Sequence, residues 1–511
     1  MKTWGLWGAL VLCSACSSGP SQPVEASLDV TTTSGVVHGS SIDGVHSFLG
    51  IPFAAPPVGP LRFLPPKPPA PWTTPRQAIA YGPDCAQLGA TGSLTPSSSE
   101  DCLYVNVWTP AAPVTKAPVY LWIYGGGFVS GSGANTLYNG SNLVVAENAI
   151  VVTFNYRLGA LGFLAHPELA TEEGVATAPS AGLADQQAAL KWVHDNIAAF
   201  GGDPANVTLA GESAGGESVC THLAMPGSKG LFAHAIIESG PCLDAAFTTK
   251  AAAEDQGTRL ATALSCTDLA CIRGKTAEEV LKALPGRKAL VGPGNSWFPL
   301  VDGALLPSTP LTAIASGSWA SVPVILGTNA NEGDLFVFLW GTPAPTAADD
   351  RTALSTLFGA SVADSIAAQY DVDTNPAKAF TDIITDGIFV CPTRHLARTL
   401  SAAGGSTYLY QFTYPYSIAL FPGISTAHAF ELPFVFKNGF GQPLTEADMV
   451  VSDAMDGYWF RFAASGDPNG GSALTWPAFT QSNDTNLVID TTLSTNTALK
   501  QAKCDFWDTI E

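Results

Sequence analysis

The amino-acid sequence predicts an α/β fold: a mostly parallel central sheet with helices on both faces and helical insertions. Apolar, β-branched runs of strand length recur along the chain, as in sheets buried on both faces. They are residues 117–124, 149–156, 206–211, 234–239, 322–327 and 407–414. Between the second and third runs, residues 184–200 place Leu190, Val193 and Ile197 on one face of a helix. Strand, helix, strand is the repeating unit of α/β folds.

Composition limits the class of protein. The chain has 511 residues, 46% of them hydrophobic and only 13% charged, which is enough to build a large core. The formal net charge of −20 argues against a nucleic acid or an anionic membrane surface as partner. It suits a neutral or cationic small molecule, although a solvated acidic surface accounts for the charge equally well.

Domain organisation can be read along the chain. Length alone would suit about three domains of ~150 residues each. No internal repeat is present, and no linker follows Pro23. Residues 245–320 are rich in Ala, Leu and Gly and interrupt the series of strands, as an insertion would.

The N-terminus is typical of an export signal. A lysine precedes an apolar run from Trp4 to Val11, which is too short to span a bilayer. The stretch "LCSAC" resembles a lipoprotein signal in which Cys16 receives lipid, the alternative being simple cleavage and release. We therefore expect a signal peptide at residues 1–16, a tether at 17–29 and one domain at 30–511, in an exported protein that is a cell-envelope lipoprotein or a secreted or periplasmic protein.

The remaining cysteines are even in number, which suits an oxidising compartment. Eight thiols allow 105 pairings, so their spacing selects none. Because no CxxC pair occurs among them, a zinc site is not expected. They are Cys85, Cys102, Cys220, Cys242, Cys266, Cys271, Cys391 and Cys504.

The sequence Gly-Glu-Ser-Ala-Gly around Ser213 predicts a nucleophile. It follows the apolar run 206–211 directly and precedes a helical pattern. A sharp Gly-x-Ser-x-Gly turn between a strand and a helix is the nucleophile elbow of α/β-hydrolases. Gly211 and Gly215 leave room for the chain to approach itself, so that the hydroxyl projects over the carboxyl end of the sheet.

A serine nucleophile needs a base, which follows it along the chain in this fold. Three histidines do so: His234 begins a buried strand, and His395 lies in a helical pattern suited to a surface or packing role. His428 lies in a loop after the run 407–414, at the expected end of the sheet, and is the predicted base.

The acid that orients the base should follow the run 322–327. Glu332 and Asp334 both lie there, and spacing does not separate them. Backbone N–H groups of Gly126 and Gly127, with that of Ala214, are expected to form the oxyanion hole. The glycines could instead cradle a phosphate, but neither a Walker lysine nor GxGxxG spacing accompanies them.

Longer stretches carry a resemblance to a known family. Residues 200–216, "FGGDPANVTLAGESAGG", and 100–110, "EDCLYVNVWTP", resemble the two signatures of type B carboxylesterases, a family of carboxylesterases, cholinesterases and related lipases. The resemblance extends from Val30 to the C-terminus. It implies an α/β-hydrolase fold and a single catalytic domain.

The resemblance also implies residue roles. It favours Glu332 over Asp334 as the acid, with His428 as base and Gly126, Gly127 and Ala214 as the oxyanion hole. It implies the disulfides Cys85–Cys102, Cys266–Cys271 and Cys391–Cys504, while Cys220 and Cys242 either pair with each other or are buried thiols. Ion pairs that fix loops are implied for Arg62 with Glu100 and for Arg157 with Asp185.

The implied activity is serine carboxylesterase hydrolysis of a small-molecule ester through an acyl-enzyme, without metal or organic cofactor. Glu212, beside the nucleophile, either tunes the electrostatics of the site or holds the turn by hydrogen bonds. Alternatives are a triacylglycerol lipase and a catalytically silent adhesion or binding relative, although the latter has lost the triad residues that this chain retains.

The positions of aromatic residues predict the substrate class. Cholinesterases hold a quaternary ammonium against aromatic faces, but the segment between Cys85 and Cys102 contains no aromatic residue. Leu335 stands where a cholinesterase is expected to have another aromatic residue in contact with choline. Residues 291–297 have Gly, Pro and Asn where phenylalanines narrow the acyl pocket of a cholinesterase. The expected pocket residues are Trp297, Phe298, Leu335 and Phe336. Unless other aromatics rebuild the cage, uncharged short- to medium-chain or aryl esters are favoured.

Overall fold

The computed structural model of the protein describes Met1 and residues 26–287, 294–341 and 345–510. Apart from Met1, the predicted signal peptide lies outside these residues, and so does Cys16, the predicted lipidation site. The strands are β1 (Asp29–Thr32), β2 (Gly35–His38), β3 (Ser40–Ile42), β4 (Val45–Pro52), β5 (Arg76–Gln77), β6 (Asp84–Cys85), β7 (Ser98–Ser99), β8 (Tyr104–Pro110), β9 (Ala117–Ile123), β10 (Ile150–Phe154), β11 (Gly202–Glu212), β12 (His234–Glu238), β13 (Val324–Asn329), β14 (Thr407–Phe412), β15 (Thr485–Ile489) and β16 (Ser494–Thr497).

Helices connect and cover these strands. They are α1 (Ser141–Glu147), α2 (Gly159–Phe163), α3 (Pro167–Glu173), α4 (Ala181–Asn196), α5 (Ala214–Ala224), α6 (Lys250–Ala263), α7 (Leu269–Gly274), α8 (Ala277–Ala283), α9 (Pro310–Ala315), α10 (Gly333–Trp340), α11 (Ala347–Phe358), α12 (Ala360–Gln369), α13 (Pro376–Ile383), α14 (Cys391–Ala402), α15 (Leu432–Phe436), α16 (Glu446–Ser465) and α17 (Gln501–Trp507).

One large sheet organises the described chain, in the order β16-β15-β14-β13-β12-β11-β9-β10-β8-β4-β3. The pairs from β10 through β15 are parallel, and antiparallel pairs lie at both ends of the sheet. The predicted α/β class is therefore confirmed. Because the carboxyl ends of parallel strands share one edge, the loops that follow β9, β11, β13 and β14 converge there.

The predicted strands and helix are buried as expected. Every residue of β10, β12 and β13 is buried. On α4, Leu190 and Val193 have no exposed surface, and Ile197, in the 3-10 turn that follows, has none either. A periodicity of 3.6 residues thus correctly identified the face that packs on the sheet.

Two helical insertions interrupt the strands. Between β12 and β13 the described residues form α6 to α9, with no pairing beyond isolated bridges, as predicted for residues 245–320. A second insertion, α10 to α14, separates β13 from β14, and the sequence indicated only the helical pattern around His395 within it. Its first helix begins directly after Glu332, so this insertion contributes to the surroundings of the site.

Disulfides and ion pairs fix the loops. The three pairs implied by the resemblance are present, and Cys220 pairs with Cys242, which links α5 to the loop after β12. Arg157 Nη2 lies 2.7 Å from Asp185 Oδ1, both buried. Arg62 likewise donates to both oxygens of Glu100. Among the residues described, no helix is both long and apolar enough for a bilayer crossing.

Candidate active site

Ser213 lies at the tip of a strained turn. It follows the last residue of β11 and precedes the first of α5, with φ of 57° and ψ of −127°. A positive φ is uncommon outside glycine and is held by the surrounding structure. The Ser213 N–H donates to the carbonyl of Glu238 on the adjacent strand at 2.9 Å. A Cβ on Gly215 would overlap the carbonyl oxygen of Ile123, so a glycine is required there.

The glycine-rich loop after β9 lies against this turn. A Cβ on Gly125 would come within 2.9 Å of the Ser213 Cβ. Gly126 and Gly127 are exposed, whereas Gly125 itself is buried. Ala214 is the first residue of α5, and N–H groups in the first turn of a helix lack partners within the helix. The glycine-rich loop and the first turn of α5 therefore both lie next to Ser213, where oxyanion donors are expected.

His428 and Glu332 are joined by a short hydrogen bond. His428 Nδ1 lies 2.7 Å from Glu332 Oε2. The other oxygen of Glu332 accepts hydrogen bonds from the Ser239 hydroxyl and the Asn329 N–H, both at 2.6 Å. A fully buried carboxylate held in this way keeps the imidazole proton on Nδ1 and leaves Nε2 free to accept one.

Asp334 points elsewhere. It lies in the first turn of α10 and forms a hydrogen bond with Thr381. Burial raises the pKa of Asp334, and the hydrogen bond with Thr381 only partly offsets this rise. Residues two apart on a helix are separated by about 200° around its axis. The structure thus brings Glu332, and not Asp334, to His428. His234 lies at the start of β12 and His395 on α14, as expected from the sequence.

Glu212 faces the second nitrogen of the imidazole. Its Oε1 lies 3.1 Å from His428 Nε2, and both side chains are almost fully buried. Burial raises the pKa of Glu212 well above its ordinary value, and the charges of Glu332 and Glu238 raise it further. Glu212 therefore contacts the imidazole of the predicted base, and its tuning role stays a prediction.

Two phenylalanines pack on the histidine. The rings of Phe336 and Phe389 lie 5.1 Å and 4.7 Å from the imidazole ring, and they stack on each other at 5.7 Å. Phe336 was expected in the substrate pocket. Phe389 was missed, because it lies 39 residues before His428 in a buried π-helical segment, where its sequence pattern is that of an ordinary core aromatic.

The other three residues expected in the pocket lie apart from one another, and each has its own surroundings. Phe298 packs edge-on against Phe128, the residue after Gly127, at 5.2 Å, which places it beside the glycine-rich loop. Trp297 is buried, and its Nε1 donates to the Leu284 carbonyl at 3.3 Å. Leu335 is partly buried against the main core.

The arrangement suits acyl transfer. Acyl transfer requires a nucleophile, a base with a group that orients it, and oxyanion donors. The structure offers a serine on a sharp turn, an imidazole hydrogen-bonded to a buried carboxylate, and a glycine-rich loop next to the serine. Within the described ranges, no group of three or more His, Cys, Asp or Glu side chains is arranged to hold a metal ion.

Comparison with known proteins agrees with this chemistry. Residues 26–507 match the carboxylesterase family. The chain is 38% identical to a para-nitrobenzyl esterase of Bacillus subtilis (strain 168), over 91% of this chain and 95% of that protein. It is 34% identical to an acetylcholinesterase of Bungarus fasciatus, over 99% and 90%. A solved PNB esterase superimposes with a TM-score of 0.82 at 36% identity, over 94% of this chain and all of that one. The chain therefore belongs to the carboxylesterase family and is a carboxylic ester hydrolase.

Proposed function

We propose that Ser213, His428 and Glu332 are the catalytic triad of this esterase. The observation that carries the proposal is the 2.7 Å hydrogen bond between His428 Nδ1 and the buried Glu332, at the edge of the sheet where the Ser213 elbow lies. Gly126, Gly127 and Ala214 are the proposed oxyanion donors.

The proposed reaction has two steps. His428 Nε2 takes the hydroxyl proton as Ser213 attacks the ester carbonyl, and the three N–H groups stabilise the tetrahedral oxyanion. The imidazolium then protonates the leaving alcohol, giving an acyl-enzyme. In the second step His428 activates water, which attacks the acyl group and releases the acid.

The substrates proposed are uncharged short- to medium-chain or aryl carboxylic esters. The rings of Phe336 and Phe389 beside His428 give the site an apolar wall. The loop closed by Cys85–Cys102 offers no aromatic face to a quaternary ammonium. The para-nitrobenzyl esterase relative, by its name, acts on para-nitrobenzyl esters, which carry an aromatic ring and no positive charge, and this supports an uncharged ester substrate here.

A panel of esters tests this substrate class. We expect kcat/KM for p-nitrophenyl butyrate to exceed that for acetyl- and butyrylthiocholine, since no described aromatic cage orients the cation. The acetate, octanoate and palmitate esters complete the series. A preference for either thiocholine ester would overturn the proposal, and a preference for palmitate would support the lipase alternative.

We further propose that the protein is exported and anchored by lipid on Cys16. Four disulfides suit an oxidising compartment, and the "LCSAC" stretch has the small residues of a lipoprotein signal. The anchor is expected at the cell envelope.

Replacing Cys16 with serine should move the protein from the membrane fraction to the soluble fraction, because serine cannot form the thioether to the lipid. Cys13→Ser is the matched control and should stay with the membrane. An intact-mass measurement that finds no lipid on the wild-type protein would rule out the anchor.

A further inference from the structure

We propose that Glu238 is a positioning residue that donates a proton in a hydrogen bond to Glu212, so that Glu212 carries its negative charge towards His428. Glu238 is the last residue of β12, which pairs in register with β11. The inference rests on the roles proposed above for Ser213 and His428, and it assigns a task to a buried carboxyl that the triad does not use.

Register places the Glu212 and Glu238 side chains on the same face of the sheet. Glu212 and Glu238 are partners in the parallel pairing of β11 with β12, so their side chains point to the same face of the sheet. The backbone of Glu238 also holds the elbow, because its carbonyl accepts the Ser213 N–H. The charge of Glu238 therefore acts on Glu212, and the backbone of Glu238 is hydrogen-bonded to the turn that carries Ser213.

Two buried oxygens in this pair lack a donor. Trp459 Nε1 on α16 donates to Glu238 Oε1 at 2.8 Å. Glu238 Oε2 and Glu212 Oε1 accept no hydrogen bond from any described group. A neutral His428 with its proton on Nδ1 has none on Nε2 to give to Glu212. A buried oxygen without a hydrogen bond destabilises the folded protein. A proton between the two carboxyl groups would give one of these oxygens a hydrogen bond.

The surrounding groups favour one proton on the pair. Burial raises the pKa of both carboxyl groups, that of Glu238 to about 8 even though the Trp459 hydrogen bond lowers it, and that of Glu212 well above its ordinary value. The titratable groups whose charges interact with Glu238 come from the neighbouring elements and are Glu212, Glu431, Tyr120, Tyr138 and Tyr410.

None of these neighbours supplies a positive charge to the pair. The three tyrosines are buried and their pKa values are raised, so they remain neutral near pH 7. Glu431 accepts from the Asn329 side chain instead. On α16, Asp456 lies 3.0 Å from Lys437, so that lysine is already paired. Two full charges on Glu212 and Glu238 would therefore repel without compensation.

The shared proton has a catalytic consequence. When His428 takes the proton of Ser213, the imidazolium is stabilised by a negative charge on Glu212 near Nε2. An ionised Glu238 raises the pKa of Glu212. A protonated Glu238 that donates a hydrogen bond to Glu212 instead favours the ionised form of Glu212 and holds its pKa lower. Without that donor, Glu212 stays protonated to higher pH. The imidazolium of His428 then lacks a negative charge near Nε2.

Glu238→Leu removes the donor and should shift the acidic limb of kcat/KM to higher pH. A shift of one pH unit would lower the rate about tenfold at a pH on that limb. Glu238→Gln should recover most of this loss. Its carbonyl can accept from Trp459, which turns its NH2 group towards Glu212 as a permanent donor.

The alkaline limb separates this role from a purely structural one. The wild-type profile should show an inflection near pH 8 as the pair loses its proton, and Glu238→Gln, which cannot ionise, should lack it. Asp350→Asn on α11 is the matched control. It removes another buried acid whose pKa is raised to about 7 by burial, and it should keep the wild-type profile.

Thermal unfolding and labelling by an organophosphonate establish that each variant is folded with a reactive serine. The inference fails if Glu238→Leu lowers the rate equally at every pH, or if Glu238→Gln retains the inflection. Failure of the triad itself is a separate result, because it would appear as activity in a Ser213→Ala protein.

Discussion

Ser213→Ala is expected to lower kcat for ester hydrolysis by roughly 10⁶-fold, the loss seen when a triad serine is removed. Alanine keeps the Cβ that the turn accommodates but lacks the oxygen that attacks the carbonyl. The residual rate would come from substrate binding and the oxyanion donors alone. Hydrolysis of p-nitrophenyl butyrate by purified wild-type and variant proteins measures the loss.

Covalent labelling provides the control for this variant. An organophosphonate should add once to the wild-type protein and not at all to Ser213→Ala, as read from intact mass. Ser482→Ala, at an exposed turn, should be labelled like the wild type. Equal labelling of the Ser213 variant would falsify the assignment of the nucleophile.

Glu332→Gln should lower kcat by about 10⁴-fold, as removal of the carboxylate charge does in a triad. The Ser239 hydroxyl and the Asn329 N–H both donate to Glu332 Oε1, so the glutamine carbonyl should remain there. Its NH2 group would then face His428 Nδ1 as a donor. This forces the imidazole proton onto Nε2, which can no longer accept the proton of Ser213.

Asp334→Asn is the matched comparison and should retain most of the activity. Asp334 follows Glu332 by two residues, but its side chain interacts with Thr381 and not with the histidine. The two variants are compared by kcat at saturating p-nitrophenyl butyrate. A large loss in Asp334→Asn with activity kept in Glu332→Gln would transfer the role of the acid to Asp334.

Local patterns in the sequence were sufficient for most of the fold. Apolar runs identified the buried parallel strands, and one helical face identified α4, because periodicity and burial are coupled within a short segment. Their ends were less certain: β11 begins at Gly202, four residues before the predicted start, since pairing with β9 extends it. Within the insertion α10 to α14, the sequence indicated only the helical pattern around His395, which belongs to α14, the helix that packs on β13 and β14.

The sequence by itself determined the elbow at Ser213 and the family, since both depend on residues that are contiguous in the chain. Spacing left Glu332 and Asp334 open as the acid and only the family resemblance favoured Glu332, whereas the structure shows Glu332 at His428. Tertiary structure alone decided that Cys220 pairs with Cys242 and that Phe389 packs on the imidazole. It also decided that Glu238 stands beside Glu212. Each of these contacts joins residues that are distant in the chain, and strand register and helix direction set their distances, which no local pattern encodes.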